Sequence, residues 1–311
     1  MYGKAIRQGR GHPGKLAVMS LPNDPAQPAP DVAALLREGR DRLRGQVDLP
    51  ELEARLLLAE ASGRAATRLI ARPEWHPEAT MVRHFRELLE RRHSGVPVAY
   101  LLGRCEFYGL SLRVTPDTLI PRPETELLVD TALELGPPGP ARVLDLGTGS
   151  GAIALSVARS RPDWQVVATD VSSAALRVAE TNARELGLDM SFRGGDGFRP
   201  VRHDPPFDLI LSNPPYVASG DGHLAEGDVA HEPREALVAG ADGMDFLRRL
   251  LREAPQHLDR KGLMILEHGH DQASVLQSRM RAAGWRGVGG RKDLAGHPRI
   301  AIGYHPDKPL V

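Results

Sequence analysis

The residues best suited to chemistry lie at Asn213-Pro214-Pro215-Tyr216, directly after the apolar run Leu209-Ile210-Leu211. That run reads as a buried strand delivering a polar Asn into two prolines and an aromatic ring. Each proline fixes its φ and lacks an N–H. Asn213 is pushed extended by the proline that follows it. The loop therefore offers carbonyl acceptors with few competing donors, which suits a planar –NH2 group. Asn213 Oδ1 and the Pro214 carbonyl would each accept one of its hydrogens, and Tyr216 would stack on the plane that carries it. Taken alone, Pro-Pro also fits a plain turn after a buried strand.

A second constellation stands upstream, at 141–158. Residues 143–146 read as a buried strand, Gly147, Gly149 and Gly151 as a tight turn, and 152–158 as the opening of a helix. Glycine permits positive φ and lets the backbone approach a ligand closely. The spacing differs from the Gly-x-Gly-x-x-Gly that cradles a pyrophosphate. A second apolar strand, 164–170, ends in Asp170. In Rossmann-like sheets an acid at that place hydrogen-bonds ribose hydroxyls, so Asp170 suits an adenosine. Its alternative role is to cap the helix that starts near Ser173.

These motifs need elements to carry them. With 311 residues there is material for two domains and a large core. A zero formal net charge gives no overall pull on DNA or RNA. The single Cys105 excludes a disulfide framework and a cysteine zinc cluster, and no metal is expected. No apolar run approaches the ~20 residues of a membrane span, and no secretory h-region is visible. A cytoplasmic enzyme is expected.

Residues 1–30 are rich in Gly, Pro and basic side chains and are expected to form a disordered tail, with Met19 an alternative start. Residues 31–96 read as a helical domain: Asp31 is an N-cap, and 49–61 and 81–92 repeat its apolar 3–4 spacing. Residues 97–115 look like a short hairpin broken at Gly109, within a linker that spans 97–125. The remainder, 126–311, alternates strands and helices, which implies a mostly parallel sheet covered on both faces. Residues 263–266 read as a late buried strand, and 285–291 with 299–304 as a final antiparallel pair.

Asn213-Pro-Pro-Tyr resembles the (Asn/Asp)-Pro-Pro-(Tyr/Phe) signature of S-adenosylmethionine-dependent methyltransferases that modify planar amino groups, and Asp145-x-Gly147-x-Gly149-x-Gly151 resembles their motif I. Gly195-Asp196, ending a third strand, matches the place where these enzymes hold the adenine amino group. Gly197 stands where relatives often carry an aromatic ring, and Phe198 is expected to compensate. Residues 97–311 are similar throughout to the release-factor glutamine methyltransferases, the HemK/PrmC family. The markers are Pro97-Val-Ala-Tyr-Leu-Leu-Gly103, Glu106-Phe-Tyr-Gly109, Pro121-Arg-Pro-Glu-Thr-Glu126, Glu232-Pro233, Ala236-Leu237, Gly240-Ala-Asp-Gly243, Glu267-His268-Gly269 with Gln272, and Asp293 with Arg299.

The resemblance implies a class I methyltransferase fold: α/β and Rossmann-like, with a seven-stranded, mostly parallel sheet and a small N-terminal helical domain joined by a β-hairpin. It implies S-adenosylmethionine as cofactor, held by Asp145, Gly147, Thr148, Gly149, Ser150, Gly151, Asp170, Asp196, Gly197, Phe198 and Asn213. The implied substrate is the glutamine of a Gly-Gly-Gln tripeptide in class 1 release factors. Asn213, Pro214, Pro215 and Tyr216 would bind it, with Asn213, Pro214 and Tyr216 catalytic. The product is N5-methylglutamine, and 31–96 would dock the factor. Neither a membrane nor direct nucleic-acid binding is expected. Two other readings share the loop: a ribosomal-protein glutamine methyltransferase, and an adenine-N6 methyltransferase of nucleic acid, which would want a basic cleft. The stretch from Arg122 to Glu126 favours the release-factor branch. Glu267, His268 and His223 are candidates only by proximity, and Arg122 and Glu124 are expected to shape the cleft wall.

Overall fold

Asp31 accepts from Ala34 N at 2.7 Å and so caps the first helix, as its position before an apolar-periodic run predicts. The computed structural model describes residues 29–307, so the expected tail lies outside the described residues except for Ala29 and Pro30. Helices α1 (Val32–Leu43), α2 (Pro50–Ser62), α3 (Ala66–Ala71), α4 (Ala79–His93) and α5 (Val98–Leu102) follow one another. Their apolar stripes close on a core that includes Leu35, Leu57, Leu58, Phe85 and Leu88. One charged side chain, Arg92 of α4, is buried at the edge of this core. It donates to Glu53 of α2 at 2.5 and 3.1 Å, to the Val96 carbonyl at 3.2 Å, and to the distant Asp228 at 2.7 Å.

The hairpin is shorter than expected. Strands β1 (Arg104–Phe107) and β2 (Leu110–Arg113) pair antiparallel, whereas the residues just before them form α5. Pro97 sets the start of that helical turn, and Gly103, at φ +67°, ends it before the strand can begin.

The rest of the chain is α6 (Glu126–Leu135), β3 (Ala141–Leu146), α7 (Ala152–Ser160), β4 (Trp164–Asp170), α8 (Ser173–Leu186), β5 (Ser191–Gly194), β6 (Phe207–Ser212), α9 (Asp245–Glu253), β7 (Leu258–Glu267), α10 (Ala273–Ala282), β8 (Arg286–Lys292) and β9 (Pro298–Tyr304). The strands form one seven-stranded sheet in the order β5-β4-β3-β6-β7-β9-β8. It is parallel except where β9 runs antiparallel to β7 and β8. Successive residues of a strand face opposite sides. Val143 and Leu209 accordingly join the core under α6 and α7, while Leu144 and Ile210 join the core under α9 and α10. The central β3 has β4 on one side and β6 on the other, so the chain leaves it in opposite directions. A crevice opens at such a switch point, at the carboxyl ends of the strands.

Between β6 and α9 the chain runs through short 3-10 turns at Gly222–Ala225, Gly227–His231 and Arg234–Ala236. Three contacts fix this segment: a bridge between Val217 and Val238, the Arg92–Asp228 ion pair, and a pair in which Arg122 Nη2 reaches both oxygens of buried Glu232 at 2.7 and 2.8 Å.

Candidate active site

The crevice at the ends of β3, β4 and β6 holds a cavity of about 320 Å³, within the roughly 300–1,000 Å³ of small-ligand sites. Gly147, Thr148, Gly149, Ser150, Asp170, Asp196, Gly197 and Asn213 all line it. Gly147 and Gly149 hold φ of +78° and +57°, left-handed values that glycine adopts without cost. Asp170 accepts from Gly149 N at 2.9 Å and from Ser172 N at 2.8 Å, which joins the glycine loop to the end of β4. The helix cap is Ser172, whose hydroxyl accepts from Ala175 N, so Asp170 does not have that role. Burial pushes the Asp170 carboxyl above its ordinary range, opposed by the amides it accepts from.

Three expected cofactor residues do not line the cavity. Asp145 is buried behind the loop, where its Oδ2 accepts from the Thr148 hydroxyl at 2.6 Å and from Ala154 N at 3.2 Å. It shapes the loop rather than reaching a ligand, and burial pushes its carboxyl up to about 7. Gly151 begins α7, and a Cβ there would press on Leu155 and Ala179, so it serves the packing of α7 on α8. Phe198 is buried in the core, with its ring stacked on His257 at 4.6 Å. The cavity's aromatic wall is instead Phe246 of α9. At Gly197 a Cβ would fall on the guanidinium of Arg249, which crosses to Asp196 at 2.6 Å and holds that carboxyl below its usual range.

The donor set discriminates among ligands. Asp117, Asp170, Asp196 and Glu235 line the cavity, and no Lys, Arg or His does among the described residues. A phosphate-bearing dinucleotide would be repelled there, whereas a ligand carrying cationic groups is favoured. The residues present therefore fit an adenosine with a cationic tail.

A second cavity, about 230 Å³, adjoins the first, and Asn213, Leu119 and Ala236 line both. Pro214 and Tyr216 face this second cavity, while Pro215 faces the first. The loop is thus the wall between them. Asn213 Nδ2 donates to Thr125 Oγ1 at 3.2 Å, which leaves Oδ1 without a protein partner among the described residues. The Pro214 carbonyl likewise accepts no hydrogen bond there. Tyr216 donates to Glu267 Oε1 at 3.3 Å, so its ring is anchored by its hydroxyl rather than free to slide over a ligand. Gln272 Nε2 donates to the Tyr216 carbonyl at 2.9 Å, and Gly243, at φ +71°, lies so close to that carbonyl that a Cβ would strike it. Burial pushes Glu267 up to about 7, against the hydroxyls of Thr125 and Tyr216 and the charge of Arg299.

Among the remaining candidates, His223 lines the second cavity and is raised by its hydrogen bond to the Asp221 carboxylate. His268 is fully buried, lies in neither cavity, and is lowered by burial. Arg122 lines the second cavity as part of its wall.

The description "Methyltransferase small domain" matches residues 123–241, and "PrmC N-terminal domain" matches 34–103. A release factor glutamine methyltransferase of Bordetella pertussis (strain Tohama I) is 49% identical over 257 residues, covering 82% of this chain and 95% of its own length. One from Neisseria gonorrhoeae (strain FA 1090) is 43% identical over 267 residues, covering 85% of this chain and 97% of its own. The chain belongs to the release factor glutamine methyltransferase family. The hMettl16 catalytic domain in complex with MAT2A 3'UTR hairpin 6 superposes with a TM-score of 0.53 at 17% identity, over 72% of this chain and 84% of that one, and shares the class I methyltransferase fold. In this family member, sequence reasoning missed Phe246, Thr125 and Glu235 as cavity residues. Thr125 lies within the Pro121–Glu126 motif, so its place beside the site is legible in the sequence. Phe246 sits on an amphipathic helix, where nothing in the sequence says which neighbour it meets.

Proposed function

We propose that this methyltransferase transfers the methyl group of S-adenosylmethionine to the side-chain amide nitrogen of the glutamine in the Gly-Gly-Gln motif of class 1 release factors, giving N5-methylglutamine. The observation that carries the reading is Asn213, which lines both cavities with its oxygen unengaged.

Gly147, Thr148, Gly149 and Ser150 would hold the amino-acid end of the cofactor, Asp170 its ribose, and Asp196 with Phe246 its adenine. When bound, the cofactor supplies a methyl on a positively charged sulfur, a strong electrophile. The glutamine nitrogen is a poor nucleophile, because its lone pair is delocalised into the carbonyl. Asn213 Oδ1 and the Pro214 carbonyl would accept its two hydrogens and fix its direction. These bonds strengthen as positive charge grows on nitrogen. The alkylated nitrogen is acidic and releases one proton to water or a carbonyl, so no strong base is required.

The acceptor is a whole protein, and residues 31–96 are the surface we assign to docking it. Among the described residues no helix is long and apolar enough to cross a membrane, and we assign the enzyme to the cytoplasm with the release factor as its partner. The test is transfer from labelled S-adenosylmethionine to purified release factor, to a factor with Gln→Ala in the Gly-Gly-Gln loop, and to duplex DNA. Label on the unaltered factor alone is the expected result. Label on DNA, or on ribosomal protein and not the factor, would overturn the reading.

A further inference from the structure

Two successive prolines leave the Asn-Pro-Pro-Tyr loop with two fewer backbone donors, so side chains supply ties that its own backbone cannot. One of them is Gln272, which directly precedes α10 and lines neither cavity. Its amide meets three backbone groups from three separate segments. Nε2 donates to the Tyr216 carbonyl at 2.9 Å and to the Gly243 carbonyl at 3.4 Å, and Oε1 accepts from Gly269 N at 2.9 Å. A primary amide carries two donor hydrogens and one acceptor oxygen. The match is complete in only one orientation: turned over, the amide would set its oxygen against two carbonyls and its hydrogens against an N–H. Glycine makes room for it. A Cβ at Gly243 would strike the Tyr216 carbonyl and crowd Gln272 Nε2, and a Cβ at Gly269 would crowd Gln272 Oε1.

Each segment belongs to a different part of the site. Tyr216 walls the second cavity. Gly243 stands three residues before Phe246, the aromatic wall of the first. Gly269 follows the end of β7. Gln272 thus joins the two cavity walls to each other and to the sheet. We infer that Gln272 is a positioning residue that fixes the acceptor-side wall against the cofactor-side wall, and so keeps the reacting atoms in line. The inference rests on the reading of the first cavity as the cofactor's and the second as the glutamine's.

In-line transfer is sensitive to placement: an error of about 1 Å costs about a hundredfold in rate. Gln272→Glu keeps the side chain's shape and its acceptor for Gly269 N. A carboxyl has at most one donor hydrogen, so in either protonation state it can hold at most one of the two walls. kcat on release factor should fall about ten- to a hundredfold. Gln272 lines neither cavity, so KM for the factor and the Kd of S-adenosylmethionine should each change less than the about tenfold that one lost ligand hydrogen bond produces. Gln272→Met, which fills a similar volume with no donor, should do the same and serves if Gln272→Glu fails to fold. Full kcat in a folded variant, whatever its melting temperature, would make the residue merely structural and overturn the inference, as would a loss confined to KM or Kd.

Hydrogen exchange in the full chain, with no factor present, tests the tie apart from the reaction. Val217 N donates to the Leu237 carbonyl beside the loop, and Asp245 N donates to the Ala239 carbonyl at the start of α9. In Gln272→Glu both amides should exchange about three- to tenfold faster, the effect of losing about one hydrogen bond, while Leu209 in β6 keeps its protection. Faster exchange at only one of the two, or at neither, overturns the inference. Faster exchange at both in an enzyme that methylates no factor leaves the tie standing and overturns the functional reading instead.

Discussion

Replacing Asn213 by Ala removes the one side-chain acceptor shared by the two cavities while leaving the loop's backbone ties in place. The Nδ2 bond to Thr125 is a neutral pair at 3.2 Å, so its loss costs about 0.5–1.5 kcal/mol of folding stability. Asn213 Oδ1 has no protein partner, so its deletion strands nothing further. In the proposed reaction the same oxygen would accept from a nitrogen that is gaining positive charge. Removing a donor or acceptor aimed at developing charge costs about 2.7–4 kcal/mol, or about 10²–10³ in kcat. Cofactor affinity can change by at most one neutral hydrogen bond, about tenfold or less. The two effects should therefore separate by at least about tenfold. Single-turnover methylation of release factor would give the first and calorimetric titration with S-adenosylmethionine the second. If kcat stays near wild type, or falls only as far as cofactor affinity does, Asn213 does not orient the amide and the reasoning fails.

Phe246→Ala should weaken S-adenosylmethionine binding about tenfold through loss of an aromatic wall, whereas Phe198→Ala should lower melting temperature and leave the cofactor affinity of the folded enzyme unchanged. Arg92→Met leaves the half-buried Glu53 without its partner and should cost about 1–3 kcal/mol in urea denaturation; a cost below about 1 kcal/mol would count against the pair. Asp145 is held up at about 7 in the folded chain from an ordinary 3.8, so the folded state keeps its proton longer than the unfolded one. Its contribution to stability is full below about pH 4, is lost as pH rises to about 7, and is flat above. The difference in unfolding free energy between wild type and Asp145→Asn, measured across that window, should show this slope and its sign.

The sheet was legible because parallel strands covered on both faces read as unbroken apolar runs. Strands β3, β4 and β6 stand where those runs predict. The glycine loop was legible because left-handed backbone narrows the choice of residue. What escaped depends on direction rather than position. Phe198 follows cavity-lining Asp196 and Gly197, yet the short turn at Arg199–Val201 sends its ring into the core. Asp145 was recognised as part of the loop, but the pleat of β3 turns it behind the glycines. Phe246 and Glu235 reach the cavity only through the packing of α9 and the turns that precede it, which no local pattern encodes.

The burial of Arg92 between Glu53 and Asp228 makes one cation common property of the helical unit and of the segment walling the second cavity. The two halves of the chain are thus not interchangeable parts. A helical unit borrowed from a relative would be accepted only if it brought an arginine to this position, and a new wall only if it kept an acid at Asp228. Substitution on either side is constrained by the other, so the helical unit and the cavity wall are held to change in step.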